Sequence, residues 1–345
     1  YLLLVWPLQR MWWGNNGDEM FILAYLSQVL KGNPWNDFYY HGLPQFYPPL
    51  YFWLTGLISR LFADNAVSAT KFGVAATFGT WFLGTYGVMR LFERRVATEY
   101  RGQDRSWWWV LIPLVFLFLL DFSDVFLKPY KTLPGLGVTL WIGLFAREII
   151  AKRWQAKTYL FFGISGGLLF LTYYFWWFMA IPAMLVLALC AVNRRAALLR
   201  FCGIGAIMLL ISLPYTLPLL LSYSGGMENW QAFYFHVDDF RTWLPFAEWG
   251  WRLPLALLGL GGLILLRRDP FVRGNLYLLG FAYLYQGASV LLYLAGQHPL
   301  QAANPFKFLA NAALAVGAVA AGQWLWDKYV APRGEAARRG TIAVL

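Results

Sequence analysis

Two adjacent carboxylates, Asp18 and Glu19, sit in the run Gly14-Asn15-Asn16-Gly17-Asp18-Glu19-Met20, directly after an apolar stretch. Small residues on both sides let a ligand approach the backbone closely. The same pattern would also serve as the start of a helix, with Asn16 or Asp18 capping it and acids in its first turn. Both roles are compatible. Other groups able to do chemistry recur at intervals: Asp124, Lys128, Tyr130 and Lys131; then His236, Asp238, Asp239 and Arg241; then Gln297, His298, Asn304 and Lys307. Lys and Arg in such groups bind phosphate and stabilise the charge that grows on a phosphate leaving group. A carboxylate beside an acceptor hydroxyl takes its proton. His236, Asp238 and Asp239 could alternatively ligate a hard divalent cation. His41 and Trp35 flank the first outer loop, where an aromatic face could stack on a sugar, although simple anchoring at the interface is the commoner role for such residues.

What must position these groups is a membrane. Of 345 residues, 59% are hydrophobic and 13% charged, about half the charged share of soluble domains. Apolar runs such as 107–120, 160–190 and 201–221 have too little polar surface to coat them, so lipid is the expected solvent. Nineteen Trp, 20 Tyr and 28 Phe, many in clusters such as Trp107-Trp108-Trp109, fit the headgroup level. We expect spans at 1–13 (partial), 67–90, 107–122, 132–147, 159–173, 177–192, 200–221, 250–266, 276–294 and 308–326. With the end of the first span outside, nineteen of the 28 Lys and Arg residues fall on the cytoplasmic side, and ten of the 17 acids and all three histidines fall outside. The net charge of +11 is therefore explained by positive-inside loops and calls for no nucleic acid. Cys190 and Cys202 flank a cytoplasmic loop, and are expected as buried thiols without a disulfide.

One stretch decides the topology. Residues 47–62, opened by Tyr47-Pro48-Pro49, are apolar but only about 24 Å long as a helix. Were they to span, Arg94, Arg95, Arg101 and Arg105 would face outward. They are expected to lie in the outer interface, as is the segment from Met20 to Lys31, whose Ser27, Gln28 and Lys31 would face water. The expected architecture is thus all-α, a polytopic transmembrane bundle of about ten spans. A first outer loop at 13–66 carries two interfacial helices, and a long outer loop covers 222–249. A non-Met first residue and an apolar run at 341–345 suggest an excerpt of a longer chain.

The order Asp18-Glu19, then Tyr47-Pro48-Pro49-Leu50, then Ala69-Thr70-Lys71-Phe72-Gly73 resembles the layout of the GT-C superfamily of membrane glycosyltransferases. Within it, the Gly-Asp-Glu segment and the run from Gln45 to Trp53 are most similar to the membrane domain of actinobacterial galactan arabinofuranosyltransferases. The likeness is carried by the first 100 residues and beyond them only by the number of spans and the placement of loops. It implies one GT-C-like domain over 1–345 in the plasma membrane. It also implies an inverting enzyme that takes arabinofuranose from decaprenyl-phosphate and adds it to cell-wall galactan on the extracytoplasmic side. By position Asp18 matches the superfamily's catalytic carboxylate, and Glu19 the second acid of the protein mannosyltransferases. Donor phosphate would fall to Lys128, Tyr130, Lys131, Arg241, His298 and Lys307; sugar or acceptor to His41, Tyr47, His236, Asp238 and Asp239. No metal or other cofactor is required, although a divalent cation can be accommodated. Members also carry a C-terminal extracytoplasmic domain, expected to be absent here, which leaves acceptor recognition open. The rival readings are a GT-C transferase for mannose or aminoarabinose, a lipid-linked-sugar transporter or flippase, and a glycan-binding scaffold without turnover.

Overall fold

The computed structural model describes residues 17–37, 42–62, 65–97, 106–120, 122–149, 155–223, 250–296 and 303–330. Among them the chain is helical, and the only strand-like pairing is an isolated antiparallel bridge between Asn36 and Pro44. The helices are α1 (Gly17–Leu30), α2 (Leu50–Ser59), α3 (Ala66–Gly79), α4 (Thr85–Ala97), α5 (Ser106–Trp109), α6 (Leu111–Leu119), α7 (Phe122–Leu127), α8 (Pro129–Ile149), α9 (Ala156–Thr172), α10 (Trp177–Leu189), α11 (Arg194–Tyr223), α12 (Arg252–Leu265), α13 (Pro270–Leu294) and α14 (Ala303–Leu325). A π-helical turn over Thr80–Gly84 joins α3 to α4.

Local sequence accounts for several boundaries. Asn65 caps α3 by accepting from the Ser68 N–H at 2.8 Å. Asp269 caps α13 by accepting from the N–H groups of Phe271 (2.7 Å) and Val272 (3.2 Å), with Pro270 in the first turn, where its missing N–H costs nothing. Between α9 and α10 the backbone of Tyr173 is extended, and the axes turn by 119°. The clustered aromatics 173–177 thus mark a sharp corner, where the sequence predicts the boundary between two spans.

Helices occupy every described stretch expected to span. Three of them are long and apolar enough to cross a membrane: Arg194–Ser222, Pro270–Leu294 and Lys307–Val330. They differ in setting. The third has 78% of its apolar window buried inside the protein, whereas the first has 22%. α11 accordingly exposes Leu209, Leu210, Leu217, Leu220 and Leu221. An apolar surface of this kind on a folded chain marks contact with lipid. The chain is a helical membrane protein.

Small residues set the closest helix crossings, as is usual when lipid removes any hydrophobic drive between helices. α12 crosses α14 at Gly259, Gly262 and Gly317. A Cβ on Gly262 would collide with the Gly317 carbonyl oxygen, so no side chain fits there. α9 meets α11 in the same way, with Gly163, Gly166 and Gly167 against Ile207, Met208 and Ile211.

Two local expectations need correction. α1 does not lie with one wet face and one face in lipid, because Phe21, Ile22, Tyr25, Leu26 and Val29 are packed into the protein core against α2 and α3. Its apolar residues cover two faces, and the fold uses both; Ser27 and Gln28 are only half-exposed, while Lys31 is exposed. It is α2 that keeps an exposed apolar face, at Leu54, Leu57 and Ile58, continued by Leu61 and Phe62. The thiols of Cys190 and Cys202 are free as expected but exposed rather than buried, since they sit on the outer sides of a helix end and of α11.

Candidate active site

Gly17 opens α1, which places Asp18 and Glu19 in its first turn, where the helix dipole favours negative charge. Successive residues on a helix point about 100° apart, so the two acids part company. Glu19 turns inward and is buried, and the Asp18 side chain keeps 29% of its exposure.

The second contributor is the junction of α7 and α8. Lys128 lies between them, and Pro129 starts α8 with Tyr130 and Lys131 in its first turn. Three groups from this junction converge on Asp18. Lys128 Nζ is 3.6 Å from Oδ2, Lys131 Nζ is 3.8 Å from Oδ1, and the Tyr130 hydroxyl donates to Oδ1 at 3.4 Å. These are long contacts, held more by charge than by hydrogen-bond geometry. Lys128 also reaches Asp124 Oδ1 at 3.6 Å, one helical turn back. Lys307 approaches Asp124 Oδ2 to 2.6 Å, as an ion pair rather than a well-angled hydrogen bond.

The result is an alternating chain, Lys131, Asp18, Lys128, Asp124, Lys307. Three ammonium groups face two carboxylates, which leaves these five side chains with one formal positive charge. The third contributor, α14, is brought into register by Asn311, whose Nδ2 donates to the Leu119 carbonyl at the end of α6 at 3.2 Å. Lys307 is one turn before Asn311, so the contact that caps α6 also carries Lys307 to Asp124.

Aromatic rings wall the charges in. Tyr130 is 1% exposed and packs against Phe21 (5.5 Å), Phe52 (5.4 Å), Tyr47 (5.9 Å) and Tyr173 (5.9 Å). The Trp176 indole N–H donates to the Lys131 carbonyl at 3.1 Å, tying the corner before α10 to the first turn of α8. With only 4% of the Lys131 side chain exposed, its interaction with Asp18 is poorly screened by water.

Tyr47 is positioned from the first outer loop. Its ring stands 4.3 Å from Phe21. Asp37 Oδ2 accepts from the Tyr25 hydroxyl at 2.8 Å and from the Phe46 N–H at 2.9 Å, and the Tyr215 hydroxyl of α11 donates to the Phe46 carbonyl at 2.6 Å. Burial first, and then the charge of Asp37, push the Tyr25 hydroxyl well above its usual range, so it remains a donor.

Of the residues singled out from sequence, Asp18, Lys128, Tyr130, Lys131 and Lys307 come together, Tyr47 packs on their aromatic wall, and Glu19 is adjacent in chain but buried. His41, His236, Asp238, Asp239, Arg241 and His298 lie outside the described residues. Among the described residues no cluster of His, Cys, Asp or Glu could hold a metal ion. Sequence reasoning groups Asp124 with Lys128, Tyr130 and Lys131 but misses it as the link between Lys128 and Lys307; its position four residues before Lys128 is the available signal for the first half of that link. Tyr173, fully buried in the wall, figures in the sequence reading only as the end of an expected span.

No protein-family model matches the chain. It is 25% identical over 319 residues to the galactan 5-O-arabinofuranosyltransferase of Mycobacterium leprae, a match covering 82% of this chain and 46% of that protein. It is 26% identical over 318 residues to galactan 5-O-arabinofuranosyltransferases from two strains of Mycobacterium tuberculosis, with 82% of this chain and 44% of theirs covered. The chain is a distant relative of these enzymes, and the matched part spans less than half of their length.

Proposed function

We propose that this chain is an inverting glycosyltransferase of GT-C-like, roughly ten-span architecture. It moves arabinofuranose from decaprenyl-phosphate to cell-wall galactan at the extracytoplasmic face of the plasma membrane. The observation that carries the reading is the grouping of Asp18 with Lys128, Lys131 and Tyr130 at the ends of helices, and the distant arabinofuranosyltransferase relatives supply the substrate class. A polyprenyl-phosphate sugar keeps its tail in lipid, so its phosphate and sugar lie at headgroup depth. Charges at helix ends are placed to meet it there.

The chemistry follows from the residue types. The acceptor hydroxyl oxygen attacks the anomeric carbon as the bond from that carbon to the phosphate oxygen breaks, and the electron pair leaves on the phosphate. Lys128 and Lys131 offset the charge that collects there, with Lys307 acting behind them through Asp124. Asp18 takes the acceptor proton. One carboxylate suffices because no covalent sugar–enzyme intermediate is formed. The lysines that hold Asp18 are also the groups a phosphate would bind, so donor entry would loosen their grip on the carboxylate as it is needed for the base role. A transporter would need its ionisable groups near the midplane, whereas Asp18, Lys128, Lys131 and Lys307 all fall in or beside first turns of helices.

The test uses the chain in lipid nanodiscs with decaprenyl-phosphoryl arabinose and a galactan oligosaccharide. Asp18→Asn is expected to stay folded in the nanodisc, with some loss of stability as Lys131 loses its charge partner, and to lose transfer by roughly 10²–10⁴-fold. Transfer at the wild-type rate in that variant would remove the assignment.

A further inference from the structure

Away from Asp18, the first outer loop and α11 enclose a cavity of about 300 Å³. On one side are Trp35, Gln45 and Trp53; on the other, Pro214, Tyr215 and Pro218. That size is at the lower end of small-ligand sites. The loop side is built on a short antiparallel pairing of 35–37 with 43–45. Gln45 N–H donates to the Trp35 carbonyl at 3.0 Å, Asp37 N–H to the Leu43 carbonyl at 3.1 Å, and Asn36 bridges Pro44, with Gly42 turning the chain at φ +80°. This pairing sets Trp35 and Gln45 side by side. Trp53 is fixed by its indole N–H donating to the Pro34 carbonyl at 2.9 Å, and its ring stands 4.3 Å from that of Trp35 at 72°. Trp35 remains 56% exposed.

Gln45 is the anomaly. It is 3% exposed, yet neither its amide nitrogen nor its amide oxygen has a hydrogen-bond partner among the described residues. A buried amide without partners is costly to keep, so such a group in a cavity wall calls for a ligand that satisfies it. An amide offers two donors and an acceptor in one plane, which suits neighbouring hydroxyls. A polyprenyl tail offers neither and would leave the amide as it is. The indoles supply the complementary part, since the negative face of an aromatic ring attracts the partly positive C–H face of a sugar.

We infer that this cavity is a saccharide subsite for the acceptor glycan, with a sugar ring on Trp35 and Trp53 and its hydroxyls on the Gln45 amide, turned into the cavity to meet them; the inference rests on the glycosyltransferase reading above. The subsite is tied to the charged cluster through packed side chains. Gln45 precedes Tyr47 by two residues, Tyr47 packs on Tyr130, and Tyr130 donates to Asp18. A glycan held at Gln45 would thus rest on the same loop that positions Tyr47 against the wall around Asp18. The subsite would fix where along the galactan the enzyme acts.

The experiment titrates a synthetic galactan oligosaccharide against the chain in nanodiscs by calorimetry, and measures transfer separately, for Gln45→Leu and Trp35→Ala. Each is expected to weaken oligosaccharide binding about tenfold, the effect of losing one good anchor, while the KM for the donor lipid stays put. Gln45→Leu removes an unpartnered amide and should melt no lower than wild type, which separates lost binding from lost folding. Wild-type affinity in both variants, or no oligosaccharide binding by the wild type, overturns the subsite. So does a weakened donor KM with unchanged oligosaccharide affinity, which would make the cavity a hydrocarbon site. The two readings fail differently. Binding that depends on Gln45 without any transfer by the wild type sinks the enzyme and keeps the subsite. Transfer that depends on Asp18 but not on Gln45 or Trp35 does the reverse.

Discussion

The charged cluster at Asp18 and the glycine crossing of α12 with α14 are built on opposite principles. At the crossing, Gly259, Gly262 and Gly317 let two backbones touch, and the contact contains no side-chain chemistry at all. At the cluster, five ionisable side chains are assembled over contacts that mostly exceed 3.5 Å. Close backbone packing gives rigidity and nothing to react with. Loosely paired charges give groups that a phosphate can recruit, at the cost of pairing each other poorly. The contrast says that damage to the first region should appear as lost fold, and damage to the groups that face substrate in the second chiefly as lost turnover.

The comparison can be broken most severely at Gly262. Gly262→Leu drives a side chain into the Gly317 carbonyl, and we expect more than about 5 kcal/mol of destabilisation, in the range reserved for core overpacking and strain. The readout is the yield and unfolding midpoint of the purified protein; an unchanged midpoint would show that the crossing is not a rigid element. Next comes Asp124→Ala, which leaves Lys128 and Lys307 facing each other in a mostly buried place, for about 3 kcal/mol. Adding Lys307→Met should recover part of that stability, and a double-mutant cycle measures the coupling. Lys131→Gln tests the cluster's own side of the contrast. Transfer should slow roughly 30-fold, about 2 kcal/mol of transition-state stabilisation, with little change in melting. Smallest is Asp269→Ala, which removes the cap of α13 far from both regions and should cost about 1 kcal/mol with kinetics intact.

Much of this architecture can be read from hydropathy. Residues 308–326 are expected as a helix and all but the last lie within Ala303–Leu325, and the corner at 173–177 is expected as a boundary. Asp18, Lys128 and Lys131 are legible because charge bookkeeping puts them on one side. What hydropathy lacks is register. The pairing of Lys307 with Asp124 depends on how far α14 slides past α6, and that is set by Asn311 meeting a carbonyl 192 residues earlier. Gln45 is illegible for another reason, since a glutamine between prolines and aromatics in a loop reads as a solvated residue until its burial is known. α1 is misread because a helix apolar on two sides gives the same pattern in an interface as in a core.

The π-helical turn at Thr80–Gly84 settles a question of phase. Along α3 and α4 the buried positions Gly73, Thr77, Trp81, Thr85 and Met89 recur every fourth residue. On a regular helix of 3.6 residues per turn, that spacing would creep about 40° per step around the axis, and the last of them would face nearly opposite the first. A wider turn inserted midway takes up the lag, much as a leap day keeps a calendar aligned with the seasons. Removing one residue from Thr80–Gly84 would therefore rotate everything beyond it, carrying Met89 and Phe92 away from the core they now fill.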